Sequence, residues 1–242
     1  MASDLCQISE RKMAEKSRGE WTILVLEMKT GDAAEIYHKN LEDQKVLFLY
    51  GIPKEVKEQI LGKRKVLSAI SSYEVVFHRQ NFLHLTGVRV DSDKIKSSIH
   101  FYEKCLDKRL AEQDFSLAKD GSTRQKLDVL ENMMKIKQSA MMIGDFTGKG
   151  PKLYSEKVAG NICGCVGFVQ DRHTGFNVPN TLLKKDIRDV TAIPVQKIYA
   201  VISKSYTEQK YTIVEKLDKS IDLSYHSFSE EIESILERKQ KL

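Results

Sequence analysis

The sequence predicts an α+β protein in which N-terminal helices pack on a curved antiparallel sheet and a helix closes the C-terminus. Three observations carry this. Apolar residues recur at helical spacing in the first half of the chain. The run "YEVVFHRQNFLHLTGVRV" is rich in β-branched and aromatic residues. Beyond residue 140 short strand-like runs alternate with turn clusters. The 242 residues contain no internal repeat or low-complexity tract, and they divide into a helical extension over 1–70, a central α+β domain over 71–217 and a C-terminal helix over 218–242.

In chain order, the polar segment near residues 2–17 reads as a helix, followed by "WTILVLEM" and a helical continuation through "GDAAEIYHKNLED". After "KVLFLYGI", Pro53 suits a first helical turn, Val56, Ile60 and Leu61 share a face, and Gly62 can end the helix. Residues from Tyr73 to Val90 read as extended. In "DSDKIKSSIHFYEKCLDKRL", Asp91 or Ser92 caps a helix whose stripe is Ile95, Ile99, Tyr102, Leu106 and Leu110. In "TRQKLDVLENMMKIKQSA", Leu127, Leu130, Met133 and Met134 form a buried helical face. The following turns, "GDFTGKGP", "AGN", "DRHTGFNVP" and "SYTEQK", separate strands of a meander, and "VQKIYAVISKSYTEQKYTIVEKL" has the form of a hairpin. The end, "SFSEEIESILERKQKL", carries a capping box from Ser227 to Glu230 and a basic last turn.

Composition excludes several classes. Apolar residues make up 41% and charged residues 30%, so the chain folds rather than remaining disordered. The excess of 39 basic over 34 acidic residues gives +5, which permits a polyanionic partner, although basic and acidic residues interleave as on a solvated helix face. No apolar run approaches the ~20 residues of a membrane span, and the polar start lacks a signal peptide's apolar segment. Four scattered cysteines fit a reducing cytoplasm. The "CGC" pair has no second pair at zinc spacing and reads as two small buried residues, so neither a metal nor another cofactor is expected.

The motifs "GxGxxG", "GxxxxGK[ST]", "GxSxG" and "HExxH" are missing. What remains is a set of histidines, basic residues and small polar residues on or beside strands, the equipment for cleaving RNA by attack of its own 2′-hydroxyl. That reaction needs a base, an acid for the leaving 5′-oxygen, and cations or N–H donors for the charge on phosphate. In "NFLHLTG", strand alternation puts Leu83 and Leu85 on one face and Phe82, His84 and Thr86 on the other, presenting His84. The competing reading is a half-buried histidine bonded to backbone. His78 lies ~20 Å from His84 in a continuous strand and joins it only if the chain turns at Arg79 to Asn81. His38 and His100 fall in helical patterns, His226 in a polar connection and His173 in a loop. Arg79, Lys184, Lys185, Lys197 and Lys204 lie where a phosphate backbone could run, and Phe82, Phe176, Tyr199 and Tyr206 could stack on bases, with core packing the competing role for the aromatics.

The motifs "NFLHLTGV", "FYEKCLDKRL", "STRQKLDVLENMMKI" and "GFNVPNTLLKKDI", in that order, resemble the fourth phage-associated group of the barnase, EndoU, colicin and RelE-like (BECR) nuclease domains. The resemblance spans roughly residues 70–215. It implies helices on a curved antiparallel sheet whose open face binds and cuts RNA. It makes His84 the acid or base, and Lys126, opening a long helix, a group for phosphate or developing charge. It places Asn180 and Thr181 to donate to phosphate or to cap the next turn, and Thr86 and Arg79 are further expected nucleic-acid contacts. The expectation is therefore a metal-independent endoribonuclease with His84, Lys126 and Thr181 catalytic and RNA as partner. An antitoxin or host protein is a further expected partner. The alternative is a catalytically inactive RNA- or protein-binding module on the same fold.

Overall fold

A computed structural model describes residues 27, 29–61, 64–148, 155–223 and 225–237. The helix read near residues 2–17 and the basic last turn of the C-terminal helix lie outside them, as does most of "WTILVLEM".

A helix through residues 29–40, α1, buries Ala33, Ala34 and Tyr37, with Leu41 just beyond it. The chain reverses at Asp43, whose φ is 54°, and enters β1, Gln44–Gly51. This strand is buried on both faces: Val46, Phe48 and Tyr50 point to one core, Leu47 and Leu49 to another. It pairs antiparallel with β4, Ser71–Phe77, on one side and with β11, Gln196–Ser205, on the other. A meander of β7 (Met142–Asp145), β8 (Lys157–Gly160), β9 (Cys165–Gln170) and β10 (Asn177–Leu183) completes the sheet in the order β10-β9-β8-β7-β11-β1-β4, and β12, Ile213–Leu217, forms the expected hairpin with β11. The sheet curls until its edges meet, where the Asn177 amide donates to the Glu74 carbonyl at 2.8 Å.

Helices fill the hollow of the curl. They are α2 (Phe82–Thr86), α3 (Ser98–Leu106), α4 (Ser122–Met133) and α5 (Ile136–Ser139), and Phe82, Phe101, Tyr102, Leu130 and Met133 pack with Tyr37 on Val46, Phe48, Phe77 and Phe168. Each fully buried side chain of this kind contributes about 1.5–3 kcal/mol of burial. The convex face is covered by a smaller sheet of β2 (Lys57–Leu61), β3 (Arg64–Ser68) and β13 (His226–Ser227), together with α6 (Glu230–Ile235), through Leu67, Tyr211, Phe228 and Ile232. A short ribbon of β5 (Arg89–Val90) and β6 (Phe115–Ser116) lies beside α3 and α4 in the chain. The sheet face expected to lie open is thus packed with helices, and any site must sit at its rim.

Several expectations are corrected. The span over 1–70 read as a helical extension contains strands β1, β2 and β3, and β1 is central to the sheet. The predicted helix after Pro53 is β2: Pro53 instead occupies a turn in which Glu55 N–H donates to the Ile52 carbonyl at 2.8 Å, and Ile60 and Leu61 stay exposed while their backbone pairs with β3. The extended reading of Tyr73–Val90 holds through Phe77. Then Asn81 bonds back to His78, a 3₁₀ turn over Arg79–Asn81 leads into α2, and Gly87 at φ 67° ends it. Phe82, Leu85 and Thr86 bury at helical spacing. Helix α3 starts later than predicted, with Ser97 Oγ accepting from His100 N–H at 3.1 Å, and the cap of α6 is Ser229 rather than Ser227. Cys165 is buried as expected, but Cys163 is exposed in the β8–β9 turn.

Candidate active site

Helix α2 packs between α4 and β10, which sets His84 beside Lys126, 42 residues further along the chain. The Lys126 ammonium donates to the His84 carbonyl at 3.0 Å, at the C-terminal end of α2 where a cation is favoured. The His84 side chain is exposed. Helical rather than strand geometry puts it there, and the same geometry shortens the path from His78 to about 10 Å. Desolvation, and next the Lys126 charge, lower the proton affinity of His84 from its usual value, which favours the neutral imidazole. Desolvation pushes Lys126 down to about 8. Two bases of reduced proton affinity therefore sit side by side, a condition suited to proton transfer near neutrality.

Gly87 makes this approach possible. A Cβ there would come within 2.6 Å of Lys126 Cδ, at a φ of +67° that L residues avoid, while Thr123 Oγ1 donates to the Gly87 carbonyl at 2.7 Å and holds α4 in place. Gly87→Ala is expected to cost about 1–2 kcal/mol and to push Lys126 away from His84. Thermal unfolding checks the first effect, and an unchanged midpoint would refute it.

Arg79 stands at a second constellation. The Glu42 carboxylate, its side chain 4% exposed, accepts from Arg79 Nε and from the Tyr102 hydroxyl at 2.7 Å, and meets His38 Nδ1 at 2.5 Å. Burial alone would raise the Glu42 carboxyl, but these three partners outweigh it and hold the carboxyl below its usual range. Arg79, half exposed, is held by this contact through its Nε. Sequence reasoning missed Glu42, Tyr102 and His38, although the i, i+4 spacing of His38 and Glu42 at a helix end was a usable signal. Because the folded Glu42 pKa is depressed, its stabilisation is present above the ordinary carboxylate value and lost as pH falls through the folded one. Glu42→Ala should cost about 1–3 kcal/mol at pH 7 by orphaning Tyr102. The difference from wild type should shrink in acid, as denaturant titrations at pH 7 and about pH 3.5 would test.

The remaining expected residues disperse. Thr181 and Thr86 are fully buried, Thr86 Oγ1 donating to the Leu83 carbonyl and accepting from Val88 N–H, so neither can touch a substrate. Asn180 lies at a bulge of β10, partly buried. Lys184 pairs with Asp128 of α4 at 2.8 Å. Lys197, paired with Asp218, and Lys204, over the Tyr211 ring, sit with the convex core away from α2 and α4. Among the described residues no group of three or more His, Cys, Asp or Glu is placed to hold a metal ion, and no helix is long and apolar enough to cross a membrane.

A curled antiparallel sheet with helices in its hollow is the architecture of a BECR-type nuclease domain. Residues 31–220 match the family described as phage-Barnase-EndoU-ColicinE5/D-RelE like nuclease4, and the chain belongs to that family. The match begins within α1, well before the segment in which the resemblance was read, as the central place of β1 requires. No curated protein and no solved structure matches the chain.

Proposed function

We propose that the protein is a metal-independent endoribonuclease of phage or mobile-element origin that cleaves RNA by acid–base catalysis. The observation that supports this most is the juxtaposition of His84 and Lys126, two bases of lowered proton affinity at one accessible rim. Neutral His84 takes the 2′-hydroxyl proton as the 2′-oxygen attacks phosphorus. The bond to the 5′-oxygen breaks, and that oxygen leaves with a proton from Lys126, giving a 2′,3′-cyclic phosphate and a 5′-hydroxyl. Arg79, held by Glu42, and Lys184 meet the phosphates on either side.

A second reading, an RNA-binding module without catalysis, is favoured by the bond that Lys126 makes to the His84 carbonyl, since an ammonium so engaged also serves as a helix cap. Incubating a mixed structured and single-stranded RNA pool with the protein in EDTA separates them. Cutting that leaves cyclic phosphate ends and disappears in a folded His84→Ala variant supports the nuclease. Retarded but intact RNA supports the binder, and cutting that requires added divalent metal refutes the metal-free mechanism.

A further inference from the structure

Of the aromatic residues that could have stacked on bases, Phe82 and Tyr199 belong to the two cores, whereas Phe176 and Tyr206 meet at the surface. Four elements converge there. Tyr206 follows β11 and is anchored by its N–H to the Asp43 carbonyl at 2.8 Å, Phe176 closes the β9–β10 turn, His78 ends the path of β4, and Lys45 lies on β1. The Tyr206 ring stands edge-to-face to Phe176 at 6.0 Å and to His78 at 5.4 Å, and is 39% exposed. Such contacts keep the rings from stacking on one another, and the exposure of Tyr206 leaves ring surface for a third partner. Lys45 Nζ sits 4.1 Å from the Phe176 centroid and 5.4 Å from that of Tyr206. Its carboxylate neighbour, Glu74 at 3.4 Å, also accepts from the Tyr211 hydroxyl at 2.5 Å, so it is shared between two donors. An exposed ring face beside a lysine, with Arg79 next in the chain, matches what a base and its phosphodiester require.

We infer that Tyr206, Phe176, His78 and Lys45 form a base-stacking subsite for single-stranded RNA, with Tyr206 presenting ring surface and the largely buried Lys45 adding positive charge beside it. The subsite rests on the nuclease reading for its substrate class. It lies about 10 Å along the chain from His84, by way of the 3₁₀ turn and α2. It positions the strand and touches no reacting atom.

The test uses a short fluorescent 2′-O-methyl RNA, which lacks the attacking hydroxyl and cannot be cut, so binding is read apart from catalysis. The full chain should bind it, and Tyr206→Ala and Phe176→Ala should each weaken binding by about 5- to 100-fold. Tyr206→Trp should bind as well as wild type, which separates stacking from misfolding, and Lys45→Met should lower the slope of log affinity against log salt by about one. An abasic strand of equal charge should bind weakly and ignore the Tyr206 substitutions. Unchanged affinity in Tyr206→Ala, equal loss in Tyr206→Trp, equal affinity for the abasic strand, or no binding by wild type would each overturn the subsite. Absence of RNA cutting alongside base-dependent binding would retire the catalytic reading and leave the subsite standing.

Discussion

His84→Ala is expected to lower kcat/KM for RNA cleavage by about 100- to 10,000-fold, the usual contribution of a positioned acid or base, with thermal stability unchanged because the ring is exposed. The wild-type pH profile should be bell-shaped. Its acid limb belongs to His84, which must be neutral to accept a proton and whose lowered pKa moves this limb below the ordinary imidazole value. Its alkaline limb belongs to Lys126, which must be protonated and loses its proton near about 8. Lys126→Arg should remove the alkaline limb, since a guanidinium stays protonated, and Lys126→Met should depress the whole curve. A profile whose limbs are untouched by these substitutions would dissociate the pair from the chemistry.

The largest effect on stability should come from Lys137, which has no part in the His84–Lys126 site. Its side chain, 6% exposed, donates to Gln44 Oε1 at 2.8 Å and pairs with Glu215, 13% exposed, whose carboxylate also accepts from Ser203 Oγ at 2.6 Å and Gln138 Nε2 at 3.1 Å. This network ties α5 to β1, β11 and β12. Lys137→Met leaves Glu215 buried without its cation and should cost about 3–5 kcal/mol, lowering the midpoint of thermal unfolding by roughly 10 °C or more. The double variant Lys137→Met/Glu215→Leu should recover most of that loss, because removing both charges avoids the unpaired one. A single variant as stable as wild type would show the network to be dispensable.

Local pattern was enough wherever one periodicity extended over several turns or strands. The stripe of Leu127, Leu130, Met133 and Met134 is buried as spaced, the meander beyond residue 140 is antiparallel, and the β11–β12 hairpin forms. It was insufficient where a run was short or apolar throughout. "KVLFLYG" shows no alternation because β1 is buried on both faces, and "NFLHLT" is too short to distinguish a strand from a turn and a half of helix. His84 was singled out for a strand face that does not exist, yet it is exposed, because Phe82, Leu85 and Thr86 take the buried side of α2.

The sequence by itself determined the α+β class, the helices with a continuous apolar stripe and the candidacy of His84, since these depend on residue type and local spacing, while its resemblance to a known family supplied the family and the candidacy of Lys126. The tertiary structure alone decided that Lys126 meets His84 across Gly87, that Glu42 gathers Arg79 and Tyr102, that Thr181 is sealed in the interior, and that Phe176 and Tyr206 meet at the surface. Each of these depends on which segments the curl of the sheet and the packing of α2 on α4 bring together. Contacts between residues tens of positions apart leave no periodic trace in the chain, because the burial and desolvation that create them arise from the assembled core.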